Sequence, residues 1–342
     1  MKVVFDVRHS ETAKGGRGIG VYVDELQTAL KKQFQKDTFL LLEQGELPAD
    51  ADIIHYPSID FFRLSLPLRF PKKSVVTVHD VIPLKYPAYY PPGLKGKVKA
   101  AIQLARLRRA DALITDAHAT VKDIINICAI DRSAMRSIPL APRAIFSRRV
   151  VPKRPLGLTG RFFLYVGDVG WNKNIVRLGR AVKKTSFPMV FVGRAFRQNP
   201  SDHPELRDLK TFLELFRDDP QFIFAGHVRD VVLVQLYRRA IALVVPSRDE
   251  GFGLPVLEAL TAGCPVIASD IPVLREIGGR VVRYVDQNDE DDIAEAMKQV
   301  VSLKTVDRSR LIRKGKEHAK QYTWEKTAEQ TMCVYLSLLE KA

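Results

Sequence analysis

Two glutamates, Glu250 and Glu258, stand eight positions apart within IALVVPSRDEGFGLPVLEALTAGCPVIAS, residues 241–269. Carboxylates accept hydrogen bonds from hydroxyls. A glycine-bearing loop that runs into a helix offers unpaired backbone N–H groups to an anion. Both features occur together here. Glu250 lies in the loop Ser247–Gly253, and Glu258 lies about one turn into the helix that follows. Acids at an anion-binding helix start repel phosphate unless they face hydroxyls beside it. A sugar nucleotide presents that combination, with a diphosphate in the middle, ribose on one side and a hexose on the other.

The elements that must position these groups are legible around them. Ile241–Val245 is apolar and β-branched, the pattern of a buried parallel strand, and Pro246 ends it. The spacing predicts a helix with Pro255 in its first turn and Gly263 as its C-cap. A second strand, Pro265–Ser269, completes a strand–loop–helix–strand unit.

A similar pattern opens the chain. Lys2–Val7 reads as a strand, and Gly15, Gly16, Gly18 and Gly20 lead into a helix over 19–33. Ile19, Tyr22, Val23, Leu26 and Leu30 recur at helical spacing and should face a core. This is not the dinucleotide fingerprint, because its third glycine would fall on Val21. A loop requiring positive φ accounts for any single glycine as well as a phosphate approach does. Phe39–Leu42, Ile53–His55 and Val75–Val78 are apolar runs at parallel-strand intervals. His55 and His79 stand at the carboxyl ends of two of them, where open α/β sheets keep their sites. An imidazole at His79 can hydrogen-bond a sugar hydroxyl or carry a proton.

Pro83–Gly96 reads as an irregular loop before a basic helix over 97–109. Further strands are expected at Ala112–Thr115, Phe162–Val166 and Phe222–Ala225, and Arg136–Ile138 approaches the end of the first domain. Helices are expected near 232–240, 286–301, 311–322 and 323–341, with the acids Asp289–Asp292 pairing with the dipole of the third from last.

At 342 residues, with 46% hydrophobic and 8% aromatic residues, the chain suits two soluble globular domains. No apolar run reaches the roughly 20 residues of a membrane span. Cys128, Cys264 and Cys333 are scattered, with neither disulfide nor metal spacing, which suits a reducing, cytoplasmic setting. The net charge is +15. Residues 61–110 hold eleven Lys or Arg against the single acid Asp80, together with Phe61, Phe62, Phe70, Tyr86, Tyr89 and Tyr90. A basic, aromatic surface suits an anionic membrane face or a phosphate-bearing partner, and nucleic acid less well.

Glu250, seven residues and Glu258, set in PSRDEGFGLPVLEALTAGCPVIASDIPVLREIGG, resemble the E-x7-E signature of the retaining GT-B glycosyltransferases of family 4. The resemblance covers nearly the whole chain, most strongly residues 161–341. It implies two Rossmann-like doubly wound α/β domains facing across a cleft: 1–155 on the acceptor side, 156–322 on the nucleotide-sugar side, with 323–342 returning to the first domain. The linker candidate is 151–160. The resemblance further implies that Glu250 contacts the donor sugar, that Glu258 holds the ribose hydroxyls, and that the amides of Gly251, Phe252, Gly253 and Leu254 cradle the phosphates. Gly18 and Gly20 match the N-terminal glycine loop beside the diphosphate. His79 matches a histidine near the reacting centre, and the backbone around His227 and Val228 matches the wall of the base site. Relatives carry Arg-Lys-Asn where this chain has Asn172, Lys173 and Asn174, so Lys173 is the expected phosphate cation and Arg194 a candidate second one. Ala117 replaces the relatives' serine, and no phosphate contact is assigned there.

The activity so implied is transfer of a hexose from a nucleoside-diphosphate sugar to a hydroxyl of a glycan or lipid-linked acceptor. It would proceed with retention and without metal or cofactor, His79, Lys173 and Glu250 being the catalytic candidates. Such an enzyme would work in cell-surface polysaccharide or glycolipid synthesis, in the cytoplasm or peripherally on the inner membrane face. A sugar-nucleotide epimerase on the same fold and a basic, non-enzymatic binding module are the alternatives.

Overall fold

The computed structural model describes residues 1–9, 18–148, 155–198, 200 and 202–340. Gly15, Gly16 and residues 151–154 of the linker candidate lie outside the described residues. The chain divides into two compact units, one of Met1–Ala141 with Tyr322–Ala342, the other of Pro142–Gln321.

The first unit is built on a six-stranded sheet: β1 (Lys2–Asp6), β2 (Thr38–Leu42), β3 (Ile53–Tyr56), β4 (Lys73–Thr77), β5 (Ala112–Thr115) and β6 (Met135–Ser137). Its order is β2-β1-β3-β4-β5-β6, and every pairing is parallel. The strands are short and apolar because both faces are covered. Helices α1 (Ile19–Gln33), α2 (Ile82–Lys85), α3 (Gly93–Leu107) and α4 (His118–Cys128) run between them. In α1 the buried set includes Tyr22, Val23, Leu26 and Leu30, as the periodicity predicts.

The second unit repeats the plan. Strands β7 (Phe163–Val166), β8 (Met189–Val192), β9 (Phe222–Gly226), β10 (Leu243–Val245), β11 (Val266–Ser269) and β12 (Arg283–Val285) line up as β12-β11-β10-β7-β8-β9, again all parallel. Helices α5 (Ile175–Lys183), α6 (Arg207–Phe216), α7 (Asp230–Arg239), α8 (Leu254–Ala262), α9 (Pro272–Gly278), α10 (Glu290–Ser302) and α11 (Thr305–Ala319) alternate with the strands. The order reverses between β7 and β10, and doubly wound sheets bind ligands beyond the carboxyl ends of the strands at such a reversal. A core of aromatic residues, Phe191, Phe212, Phe216 and Phe222 among them, packs between this sheet and α6.

The last helix, α12 (Trp324–Leu339), belongs to the first unit and lies on α1. It is fastened by buried polar groups. The Tyr335 hydroxyl is 2.6 Å from Nδ1 of His55, whose Nε2 is 2.8 Å from Oγ1 of Thr77. Thr327 donates to the Pro139 carbonyl at 2.7 Å.

Several boundaries differ from the sequence reading. Pro83–Gly96 is not irregular throughout: α2 occupies its start, and α3 begins at Gly93 rather than near Lys97. The Gly96 N–H donates to the Pro92 carbonyl at 3.1 Å, and a Cβ on Gly96 would stand 2.8 Å from Cβ of Pro92. The glycine lets the first turn close on the proline instead of breaking it. Helix α11 starts at Thr305, six residues before the position that charge-masked periodicity suggested. Strands β6, β8 and β12 had no reading of their own; β6 and β12 are three residues long, with only Met135 and Val285 buried in them.

Candidate functional site

The order reversal places two loops side by side, because Leu243 of β10 pairs with Leu164 of β7. After β7 the chain makes a turn at Trp171–Lys173, and Asn174 takes the left-handed conformation, φ 55°, before α5. After β10 comes the loop Pro246–Gly253 and then α8. Buried amides tie the two loops together. The Asn174 side chain, fully buried, donates to the carbonyls of Pro246 at 3.0 Å and Gln287 at 2.7 Å. Asn172 donates to the Asp249 carbonyl at 3.1 Å and accepts from the Arg248 amide at 2.7 Å. Arg248 lies over the Trp171 ring at 4.8 Å, donates to the Trp171 carbonyl, and pairs with Asp208 at 3.0 Å.

The outcome is a fixed pair at the loop tips. Nζ of Lys173 is 2.8 Å from each carboxylate oxygen of Glu250, and the Ser247 hydroxyl donates to Oε1 of the same carboxylate at 2.6 Å. Ser247 is buried. Sequence reasoning proposed Lys173 and Glu250 separately, and the structure puts them in contact. It passed over Ser247, whose only signal was its place between a strand-ending proline and Glu250. Asn172, where the resemblance expects an arginine, is buried, and its side chain fastens one loop to the other.

Gly253 caps the start of α8 in the left-handed region, φ 97°, and a Cβ there would meet Leu274 at 2.7 Å. No side chain caps the helix, Pro255 occupies its first turn, and Gly263 closes it at φ 87°. The segment Gly251–Leu254 therefore brings backbone amides to an uncapped helix start within the loop that carries Glu250. Glu258 is buried on α8, and the hydroxyl of Tyr237, on α7, donates to its Oε2 at 2.9 Å. Burial, and then the charge of Glu258, push the Tyr237 phenol well above its ordinary value, so it stays a donor. Likewise burial, and then the Glu250 charge, push up the phenol of Tyr165 on β7. Arg194 follows β8 and is exposed, with no hydrogen-bond or ion-pair partner among the described residues. Val228 is buried in the turn between β9 and α7. Both stand at the carboxyl edge of the sheet that carries Lys173 and Glu250. Gly193, just before Arg194, packs so closely that a Cβ would lie 2.3 Å from the Gly167 carbonyl oxygen.

In the first unit, Gly18 is the N-cap of α1 at φ 51°, and Gly20 is buried in its first turn. His79 follows β4. Its Nδ1 is 2.7 Å from Oδ2 of Asp116 and its Nε2 is 3.0 Å from the Pro57 carbonyl. A carbonyl only accepts, so Nε2 carries hydrogen, and a carboxylate at Nδ1 favours hydrogen there as well. Burial pushes the His79 imidazolium toward deprotonation, but Asp116, with Asp80 and the Pro57 carbonyl, outweighs it, and the net shift is upward. His79 is thus anchored with both nitrogens engaged, and Asp116 favours its protonated form. His55 is the opposite case: fully buried, it is held neutral with its value pushed down to about 3.

Two parallel, doubly wound six-stranded sheets have the architecture of the GT-B fold. Residues 148–318 match the family model for glycosyl transferases group 1, and the chain belongs to that family. The O-antigen chain mannosyltransferase B of Escherichia coli is 28% identical over 277 residues, covering 77% of this chain and 70% of that protein. The serotype-specific mannosyltransferase WbdA of Escherichia coli is 27% identical over 301 residues, but the match spans only 36% of its length. Among solved structures, sucrose-phosphate synthase from Thermosynechococcus elongatus superposes with a TM-score of 0.80 at 20% identity, each chain fully covered. Anabaena HepE in complex with UDP and glucose gives 0.74 at 14% identity, covering 98% of this chain and all of the other.

Proposed function

We propose that this glycosyltransferase moves a hexose, with mannose the leading candidate, from a nucleoside-diphosphate sugar to a hydroxyl of a polysaccharide or lipid-linked glycan. The named activity of the mannosyltransferase relatives supports the sugar and the product class. The observation that carries the reading is the contact of Lys173 with Glu250 beside the uncapped start of α8. A diphosphate seated on the amides of Gly251–Leu254 meets a cation and a helix dipole. Glu250 accepts from hydroxyls of the sugar, Glu258 from those of the ribose, and Val228 lines the base. As the anomeric bond breaks, negative charge grows on the leaving diphosphate, where Lys173 and the α8 amides stabilise it. Arg194, which follows β8 beside β7, would serve as a second cation. In this reading the charge is met without a metal ion, and the anomeric configuration is retained. In the first unit, the glycine loop of Gly18 and Gly20 is assigned to donor binding and His79 to the acceptor, as the resemblance implies.

Helix α3 adds a membrane surface to the proposal. Leu94 is 83% and Val98 61% exposed, and they recur at a four-residue interval with Lys95, Lys97 and Lys99 around them. An exposed apolar stripe flanked by lysines fits an anionic leaflet. No helix among the described residues is long and apolar enough to cross a membrane.

The experiment is a thermal-shift screen across nucleoside diphosphates and their sugars, since a ligand of the native state raises Tm. Stabilisation by one nucleoside diphosphate and its hexose conjugate is expected, with GDP-mannose first. No shift with any of them refutes the reading. Product NMR of the new anomeric centre tests retention, and flotation with and without anionic lipid tests the surface.

A further inference from the structure

A carboxylate as buried as that of Glu258 is costly unless its oxygens are hydrogen-bonded. Here Oε2 is held by the phenol of Tyr237, which is itself fully enclosed. That phenol has little freedom. The edge of the Phe146 ring leans on it, centroids 5.7 Å apart, and Phe146 is fully buried too. The segment carrying Phe146 is clamped to α7 by Arg143, which binds both oxygens of Asp230 at 2.7 and 2.8 Å, and Arg238 donates to the Phe146 carbonyl at 3.4 Å. The chain from Arg143 to Phe146 to Tyr237 ends on Oε2 of the carboxylate and holds that oxygen in place.

We propose that Tyr237 is a positioning residue for the nucleotide: it holds Glu258 in the one rotamer that presents its carboxylate to a ribose diol. This rests on the reading of Glu258 as the ribose acceptor. A carboxylate that accepts two vicinal hydroxyls must lie in their plane, so a rotation of a few tens of degrees loses one of the two bonds. Tyr237→Phe removes the fixing bond and nothing else of size or shape. The hydroxyl-dependent part of nucleotide binding then falls, and the part due to base and phosphates remains.

The test compares affinities of GDP and 2′-deoxy-GDP, and of UDP and 2′-deoxy-UDP, by titration calorimetry on the full chain. In the natural protein the ribose form of the preferred base should bind at least tenfold tighter than its deoxy form. In Tyr237→Phe the ratio should drop to threefold or less, through weaker binding of the ribose form, while the deoxy form binds as before. A merely structural tyrosine would weaken both forms together, and that result, or an unchanged ratio, overturns the proposal. If the natural protein binds both forms of both bases equally, the ribose role of Glu258 is itself wrong and the proposal falls with it. Should Tyr237→Phe not fold, Phe146→Leu keeps the phenol but removes the ring it leans on. Its ratio must then fall by at least twofold, and an unchanged ratio is equally fatal.

Discussion

Replacing Glu250 by Gln removes one charge and preserves the side chain's size. In the ligand-free protein both oxygens of this carboxylate hold Lys173 at 2.8 Å, with the two side chains 12% and 23% exposed. A diphosphate arriving at the start of α8 must take the ammonium away from Glu250 and also sit near its negative charge. Two unit charges about 7 Å apart interact by about 2 kcal/mol at an effective dielectric of about 20. Partial exposure and salt reduce this to about 1 kcal/mol. Glu250→Gln should therefore bind the bare nucleoside diphosphate about fivefold more tightly than the natural protein, since 1.4 kcal/mol is about tenfold. The same variant should transfer sugar about a hundredfold more slowly or worse, because hydroxyl contacts and the charge balance of the transition state are lost. Calorimetry with the bare diphosphate at two salt concentrations reads the first effect, which should shrink at high salt; initial rates read the second. Adding Lys173→Ala should abolish the gain in affinity. Weaker binding of the bare diphosphate by Glu250→Gln would refute the reasoning, since the carboxylate would then be helping the anion to bind.

Gly193→Ala should lower Tm by several degrees or prevent folding, because its Cβ would sit 2.3 Å from the Gly167 carbonyl and the two loops must part; thermal unfolding of the purified variant checks this. Tyr335→Phe should cost about 1–2 kcal/mol by leaving His55 without its Nδ1 partner, read by urea unfolding. Asp116→Asn should remove the upward shift of His79. A cationic histidine with a raised value stabilises the fold fully below its ordinary 6.5 and loses that contribution as pH rises through the raised value. The stability gap between natural protein and variant should thus be widest at acid pH and narrow above neutrality; His55, held neutral near 3, has the opposite slope but is common to both proteins. Excess EDTA should leave transfer rates unchanged within error, and loss of activity restored by a divalent ion would remove the metal-free reading.

The second sheet was the easier to read. Its β10–α8–β11 unit carries a strand-ending proline, a helix-starting proline and a C-capping glycine in order, and each sits where its stereochemistry requires. Glu250 and Lys173 could be named because a motif brackets them. Their contact could not, since it depends on β7 and β10 pairing across some eighty residues of chain, 77 between the two side chains. Tyr237 and Asp116 gave no signal, and Ser247 only its place after Pro246, for a similar reason: a tyrosine in an amphipathic helix looks like core until the carboxylate it meets is known. His79 shows what sequence position leaves open. Its place at a strand end was legible, whereas the engagement of both its nitrogens follows from Asp116, 37 residues later, and from Pro57. Only the first turns of α11, Thr305–Arg310, stayed hidden, because they are polar and charged and the helix buries only Gly315 and Ala319.

The bond from His55 to Tyr335 joins positions 280 residues apart. On the ribosome, β1 to β6 emerge long before their final covering helix, and the whole second unit is synthesised in between. Until translation reaches Tyr335, the imidazole of His55 and the α1 surface that α12 will cover stay without their native cover. The first unit is therefore completed only after the second has been synthesised.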